Sequence, residues 1–281
     1  MAPLDDETDL SGVALVATDL DGTLLGPAAA LSVRTVAAVA ALADVGVEVV
    51  VATGRGHRSA VPLIEPLTTV RWLIASNGAT LYDLRRNEVV EHRPLAASCV
   101  ADLVTTAVGR FGPVGLSWET PDGQYHDNSW IAIRRAHDPD YRPLYSDLRP
   151  RLDPAVAPVL KLMVAHGRLG AYGWLDALLP HVPDGVTAVT SGAPFVEVTA
   201  GEADKGFAVA ELCRRLGIDR SATAAFGDQV NDVGMLSWVE LGFAMANAAD
   251  RVAAVTTWRA PHHAEDGVAQ VLERIRRHRR S

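Results

Sequence analysis

The chain has 281 residues, 48% of them apolar, which suffices for one large or two modest domains around a packed core and excludes a disordered protein. Its formal net charge of -8 argues against a general nucleic-acid binder, and no run of about 18 uncharged apolar residues marks a membrane-spanning helix. Only Cys99 and Cys213 are cysteine, too few and too far apart for a disulfide framework, so a reducing compartment is expected. Residues 1–12 are acidic and carry no apolar stretch, so they read as a flexible N-terminus and not as a signal peptide. A soluble cytoplasmic protein that touches neither membrane nor nucleic acid is the expectation.

In chain order, Val13 to Thr18 is a short apolar run that predicts a buried strand, and it ends in the acidic turn Asp19 to Gly22. Ser32 is placed to cap a helix whose apolar positions Val33, Val36, Ala37, Ala40 and Ala41 keep helical spacing, and Gly46 ends it. Val47 to Ala52 is the next strand, running into Thr53-Gly54-Arg55; His57 to Ile64 reads as a helix and Trp72 to Ala75 as a third strand. Strand and helix alternating in this way predict right-handed crossovers in a parallel sheet.

The pattern then changes. A helix over Ala97 to Gly109, strand-like pieces at Val114 to Trp118 and Gln124 to His126, a polar Pro-broken stretch from Arg134 to Pro154, a strand at Val159 to Ala165 and a helix from Arg168 to Leu179 predict an inserted α+β domain over 84–183. Alternation resumes over 184–281: a strand at Phe195 to Val198, a helix from Lys205 to Leu216 closed by Gly217, strands at Ala222 to Phe226 and Leu241 to Ala244, and a last helix from Gly267 to Arg276. With 13–83 this second segment makes the host domain. The basic end, Arg276 to Arg280, reads as a solvated tail.

Four polar clusters fall at strand ends or helix starts. Asp19-Leu20-Asp21-Gly22 sets two carboxylates at i and i+2 after a buried strand; taken alone the pattern also suits a turn, although the acidic ligands and closing Glu of a calcium loop are missing. Thr53-Gly54 offers a hydroxyl and free amides to a phosphate oxygen, or is an ordinary turn. Lys205 opens a helix, where a cation is mildly disfavoured by the helix dipole; among 26 basic residues only Lys161 and Lys205 are lysine. Gly227-Asp228-Gln229-Val230-Asn231-Asp232 gathers two carboxylates and an amide, oxygen donors that suit magnesium. Strand C-termini are where open α/β sheets bind ligands, and the four clusters together supply what phosphoryl transfer needs.

DLDGTL, VVVATGR, the Lys205 helix and GDQVND, in that order, resemble the haloacid-dehalogenase-like (HAD) superfamily, and most closely its Cof-type phosphatases with a type IIB cap. Ser76-Asn77-Gly78-Ala79, Ala244 to Ala248 and Glu265 to Ala269 are further similar pieces. The resemblance implies an α/β, Rossmann-like core with a central parallel sheet flanked by helices, plus an α+β cap that sets specificity by closing over the sheet's edge. It implies a phosphomonoester hydrolase acting on a small phosphorylated metabolite such as a sugar phosphate, or else a phosphotransferase or mutase on the same scaffold, working as a monomer or homodimer. Asp19 is then the nucleophile and Asp21 the general acid and base. Magnesium is held by the Asp19 carboxylate, the Asp21 backbone carbonyl and Asp228, with Asp232 beside the metal; Thr53, Lys205 and Asn231 hold the phosphoryl oxygens.

Overall fold

The computed structural model describes residues 2–3, 8–142 and 157–280, so most of 1–12, Ser281 and the end of the Pro-broken stretch lie outside the described residues. The first elements are β1 (Ala2–Pro3), β2 (Leu15–Thr18), α1 (Val33–Ala43), β3 (Glu48–Ala52), α2 (His57–Ile64), β4 (Trp72–Ala75), β5 (Thr80–Asp83) and β6 (Glu88–His92). They are followed by α3 (Ala97–Phe111), β7 (Val114–Thr120), β8 (Gly123–His126), α4 (Asn128–His137), β9 (Lys161–His166), α5 (Ala171–Leu178), β10 (Val186–Val189) and β11 (Val196–Ala200). The chain closes with α6 (Lys205–Leu216), β12 (Thr223–Gly227), α7 (Val233–Trp238), β13 (Leu241–Met245), α8 (Asp250–Ala253), β14 (Trp258–Ala260) and α9 (Gly267–Arg280). Two compact units result, Met1–Glu91 with Asp204–Ser281, and His92–Ala203.

The first unit holds a nine-stranded sheet in the order β1-β14-β13-β12-β2-β3-β4-β5-β6. Every neighbouring pair from β1 to β4 along this order is parallel, and β5 returns antiparallel to β4. The apolar runs of β2 and β3 are continuous because both faces of the sheet are covered. Val16, Val49 and Val51 point into a core that includes Ala38, Val39 and Leu42 of α1 and Val271, Leu272 and Ile275 of α9. Leu15, Ala17, Val50 and Ala52 alternate with them and enter a second core with Ala208, Val209 and Leu212 of α6 and Met235 and Leu236 of α7. Ser32 caps α1, its hydroxyl accepting from the Thr35 amide, and Gly217 closes α6 in the left-handed region at φ 68°.

The second unit is a five-stranded sheet in the order β10-β11-β9-β7-β8, each neighbouring pair antiparallel. Trp174 of α5 is fully buried, donates from Nε1 to the Val164 carbonyl at 2.8 Å, and meets Phe111 of α3 edge-on at 5.0 Å. Trp130 of α4 packs with Met163 and Ala165 of β9 and with Phe195.

Several sequence expectations need correction. The strand at 195–198 exists as β11, but it pairs with β9 in the second sheet and not with the host sheet, because alternation identifies a strand without naming its neighbour. The second unit accordingly runs from His92 to Ala203, where the sequence placed the insertion at 84–183, and β5 and most of β6 stay with the host. The polar stretch from Arg134 starts inside a helix, α4, capped by Asp127. Arg276 to Arg280 is the last turn of α9 and no tail: Arg279 donates to the Ser11 carbonyl at 3.0 Å, and the cations suit a helix C-terminus.

One contact fixes how closely α6 and α7 approach. A Cβ on Gly206 would lie 2.5 Å from both the carbonyl carbon and oxygen of Gly234, backbone atoms that cannot swing aside. Gly206→Ala is therefore expected to lower stability by about 1–3 kcal/mol, read as a lower midpoint in urea denaturation; an unchanged midpoint would contradict the close packing.

Candidate active site

Five chain segments converge at the C-terminal edge of the parallel strands. β2 delivers Asp19, whose amide donates to the Phe226 carbonyl of β12 at 2.9 Å, so the nucleophile candidate is tied to the neighbouring strand by the sheet ladder itself. The turn from Leu20 to Leu24 follows, and it needs Gly22. Its φ is 74°, and a Cβ there would stand 2.5 Å from Asp228 Oδ2. β12 ends at Gly227 and sends Asp228 and Asp232 back toward Asp19.

The result is a cluster of three buried carboxylates, Asp19, Asp228 and Asp232, whose ligand oxygens lie within 4.8 Å of one another. Lys205 enters it from the first turn of α6, fully buried, and donates to Asp19 Oδ1 at 2.5 Å and to Asp232 Oδ1 at 2.6 Å. The solvated alternative for Lys205 is thereby excluded. Asp204, for which the sequence gave no role, caps the same helix: its Oδ1 accepts from the Gly206 and Phe207 amides, which fixes the residue before the lysine. The other Asp232 oxygen accepts from the Asp228 and Gln229 amides at 2.9 and 3.0 Å. Asp228 accepts from the Thr23 hydroxyl at 2.9 Å and from the Gln229 side-chain amide at 3.3 Å.

Electrostatically the cluster is short of positive charge. Burial pushes the Asp19 carboxyl well above the usual carboxylate range; Lys205 opposes this, while Asp232 and Asp228 add to it. Burial also pushes Asp228 up to about 6, again with help from Asp232. For Lys205, burial works against the charge, but Asp19 and Asp232 outweigh it and hold the ammonium charged. One ammonium among three carboxylates leaves a divalent cation's worth of charge uncompensated. The donors are hard oxygens, and ligand oxygens around one magnesium ion stand about 3–4 Å apart, so the set fits that ion. Asp19 and Asp228 are the side chains that would hold it.

The remaining predicted residues lie around this centre. Thr53 is buried at the end of β3; its amide donates to the Ile74 carbonyl at 2.8 Å and its hydroxyl accepts from the Arg55 amide at 3.1 Å. Asn231 donates to the Asn77 side-chain carbonyl at 3.0 Å, and the Asn77 amide in turn donates to the Thr53 carbonyl at 3.0 Å. The Asn231 Oδ1 and Asn77 Nδ2 atoms are buried without a partner among the described residues. Asp21 is half-exposed, and both its oxygens accept from Arg55, Nε to Oδ2 and Nη2 to Oδ1, each at 2.6 Å.

Four residues of this network escaped the sequence reading or were quoted there without a role. Thr23 bonds Asp228. Asn77 adopts the left-handed conformation at φ 57° in the turn after β4. Asn247 donates to the Gly22 carbonyl at 2.8 Å and accepts from the His263 amide at 3.2 Å, so His263 braces the Asp19 loop instead of standing idle. His263 Nδ1 also lies 2.8 Å from the Leu25 carbonyl. Asn77 and Asn247 sit in stretches the sequence had already matched to the superfamily, which was the available signal. The Arg55–Asp21 fork left none.

A parallel sheet with buried carboxylates, a lysine and a hydroxyl at its C-terminal edge defines a hydrolase-type phosphoryl site. The sequence profile of the haloacid dehalogenase-like hydrolases matches residues 16–272, and the chain belongs to that family. Its curated relatives are named phosphatases. The pyridoxal phosphate phosphatase YbhA of Escherichia coli is 26% identical, over 92% of this chain and 97% of its own length. The 5-amino-6-(5-phospho-D-ribitylamino)uracil phosphatase YcsE of Bacillus subtilis is 28% identical, over 92% of this chain and 94% of its own. Among solved structures, that of BT4131, a subclass IIB sugar phosphatase, superposes with a TM-score of 0.79 at 20% identity, covering 93% of this chain and 98% of that one. The chain is thus an enzyme of the HAD phosphatase type with the fold of that subclass. None of the described helices is long and apolar enough to cross a membrane.

Proposed function

We propose that this protein is a magnesium-dependent phosphomonoester hydrolase acting on a small phosphorylated metabolite through an aspartyl-phosphate on Asp19. The buried cluster of Asp19, Asp228 and Asp232 around Lys205 carries the reading. A carboxylate attacks a phosphate ester only when the repulsion between the two anions is neutralised, and Lys205 already touches the attacking group.

In the first step an Asp19 oxygen bonds to phosphorus as the ester P–O bond breaks, and the leaving oxygen takes a proton from Asp21. Because both Asp21 oxygens accept from Arg55, that transfer releases at least one bond of the fork. In the second step Asp21 takes a proton from water, the water oxygen bonds to phosphorus, and the bond to Asp19 breaks to give inorganic phosphate. Thr53, Lys205 and Asn231 hold the phosphoryl oxygens; the unpartnered Asn231 and Asn77 atoms support a polar ligand there. Magnesium, held by Asp19, Asp228 and the Asp21 backbone carbonyl, supplies Lewis-acid stabilisation of phosphoryl charge when bound, and Asp232 stands beside it. The second unit is the cap that sets specificity. Cys99 and Cys213 are free thiols, in keeping with a cytoplasmic setting.

The test is phosphate release from p-nitrophenyl phosphate and from a panel of phosphorylated metabolites. Activity is expected with magnesium, loss on chelation and recovery on adding the ion back. Asp228→Asn is expected to raise the magnesium concentration needed for half-maximal rate by about tenfold or more. Turnover that is indifferent to chelation would defeat the reading.

A further inference from the structure

One face of the second sheet carries buried charge. The strand register places Glu119 of β7 directly opposite Lys161 of β9, and Glu197 of β11 opposite Met163, two residues along from Lys161. The three side chains therefore leave the same face. Lys161 Nζ donates to Glu197 Oε1 at 3.1 Å and stands 3.9 Å from Glu119 Oε2. Glu119, Lys161 and Glu197 are only 7%, 4% and 3% exposed.

The opposite face is ordinary core: Trp118, Tyr125, Leu162, Val164 and Val198 occupy the alternating positions. On the charged face, α4 covers the Met163–Ala165 end with Trp130 and leaves the triad outside its cluster. Burying three ions is unfavourable unless their hydrogen-bonding capacity is met, and here it is not. Glu197 Oε2 has no partner among the described residues, and neither has Thr199 Oγ1, two residues along the same strand and on the same face. Both residues are more than nine-tenths buried.

We propose that this face recognises hydroxyl groups of an uncharged organic moiety; on the phosphatase reading above, on which the ligand's identity rests, that moiety is the non-phosphate part of the substrate. The unmet atoms specify the chemistry. Glu197 Oε2 needs a donor, while the Thr199 hydroxyl can donate or accept, so adjacent hydroxyls that both donate and accept satisfy the pair. Two carboxylates against one ammonium repel a carboxylate or a second phosphate, and Lys161 repels an amine. The same set thus admits a polyol or neutral sugar and rejects its charged analogues.

Glu197→Gln tests this with little change of volume. Lys161 keeps the amide oxygen toward itself, so the NH2 group replaces Oε2 and turns an acceptor into a donor. The quantity to read is kcat/KM on the best polyol or sugar monophosphate divided by kcat/KM on p-nitrophenyl phosphate, which has no hydroxyl. This ratio is expected to fall about tenfold or more in Glu197→Gln and to fall less in Thr199→Val. The wild type is also expected to favour glucose 6-phosphate over 6-phosphogluconate and glucosamine 6-phosphate. A ratio equal to that of the wild type, or no hydroxylated monophosphate preferred to p-nitrophenyl phosphate, overturns the proposal. If the wild type turns over no phosphate ester at all, the phosphatase reading fails, and the face is judged by saturation-transfer NMR with sorbitol and glucose. Binding to the wild type that is lost in Glu197→Gln supports the proposal, and absence of binding to the wild type sinks it.

Discussion

Replacing Asp19 with asparagine is expected to give a folded protein whose phosphate release is slower by at least about ten-thousand-fold. The amide is a poor nucleophile and cannot form the acyl-phosphate, so the loss falls on the chemical step and not on substrate binding. The fold should tolerate the change. Asp19 is anchored by its backbone to Phe226, and Lys205 keeps Asp232 as a partner when the Asp19 charge is gone. Removing a buried charge from a group whose burial already disfavours ionisation relieves a cost. Thermal unfolding of the variant should therefore occur at or above the wild-type temperature. A rate within tenfold of wild type would remove Asp19 from the mechanism, whatever its position.

Lys205→Met is expected to damage both stability and activity. Methionine fills much the same length without charge, so Asp19, Asp228 and Asp232 would face one another with no cation between them. Breaking a buried ion pair by removing one partner costs about 3–5 kcal/mol, and loss of the ammonium from the phosphoryl site should slow turnover by about a hundred- to a thousand-fold. Urea denaturation gives the first quantity and steady-state phosphate release the second. On the proposed reading, millimolar magnesium recovers part of the lost stability by binding the folded state alone, but not the rate. A denaturation midpoint equal to that of wild type would mean that the lysine does not hold the carboxylates together.

The parts of the molecule that the sequence made legible share one property: their signals are local. β4 and α2 have the limits that the apolar runs predicted, and α6 was framed by its capping Asp204 and its closing Gly217. Asp19, Lys205, Asp228 and Asp232 were readable because each follows a buried strand or opens a helix within a few residues. What was not readable depends on partners distant in the chain. β11 looked like any other strand, and only pairing with β9 assigns it to the second sheet. The Arg55 fork onto Asp21 joins residues 34 apart that no periodicity connects. α4 was obscured because its exposed face carries Arg134, Arg135 and His137 and because the following stretch is broken by proline. The basic end looked solvated because arginine is charged, yet Ile275 and Leu272 behind it are buried and draw the helix onto the sheet.

The position of β2 in the first sheet has a consequence for synthesis. One of its neighbours, β3, begins 30 residues after Thr18 in the chain, whereas the other, β12, pairs Phe226 with Thr18. On the ribosome, the edge of β2 that bears Asp19 must wait, unpaired, while the whole of the second unit is translated. That unit is one unbroken stretch and can complete its own antiparallel sheet during the delay. Its host, split across both ends of the gene product, can only close last, and an apolar strand edge left open for that interval is where a nascent chain most needs a chaperone.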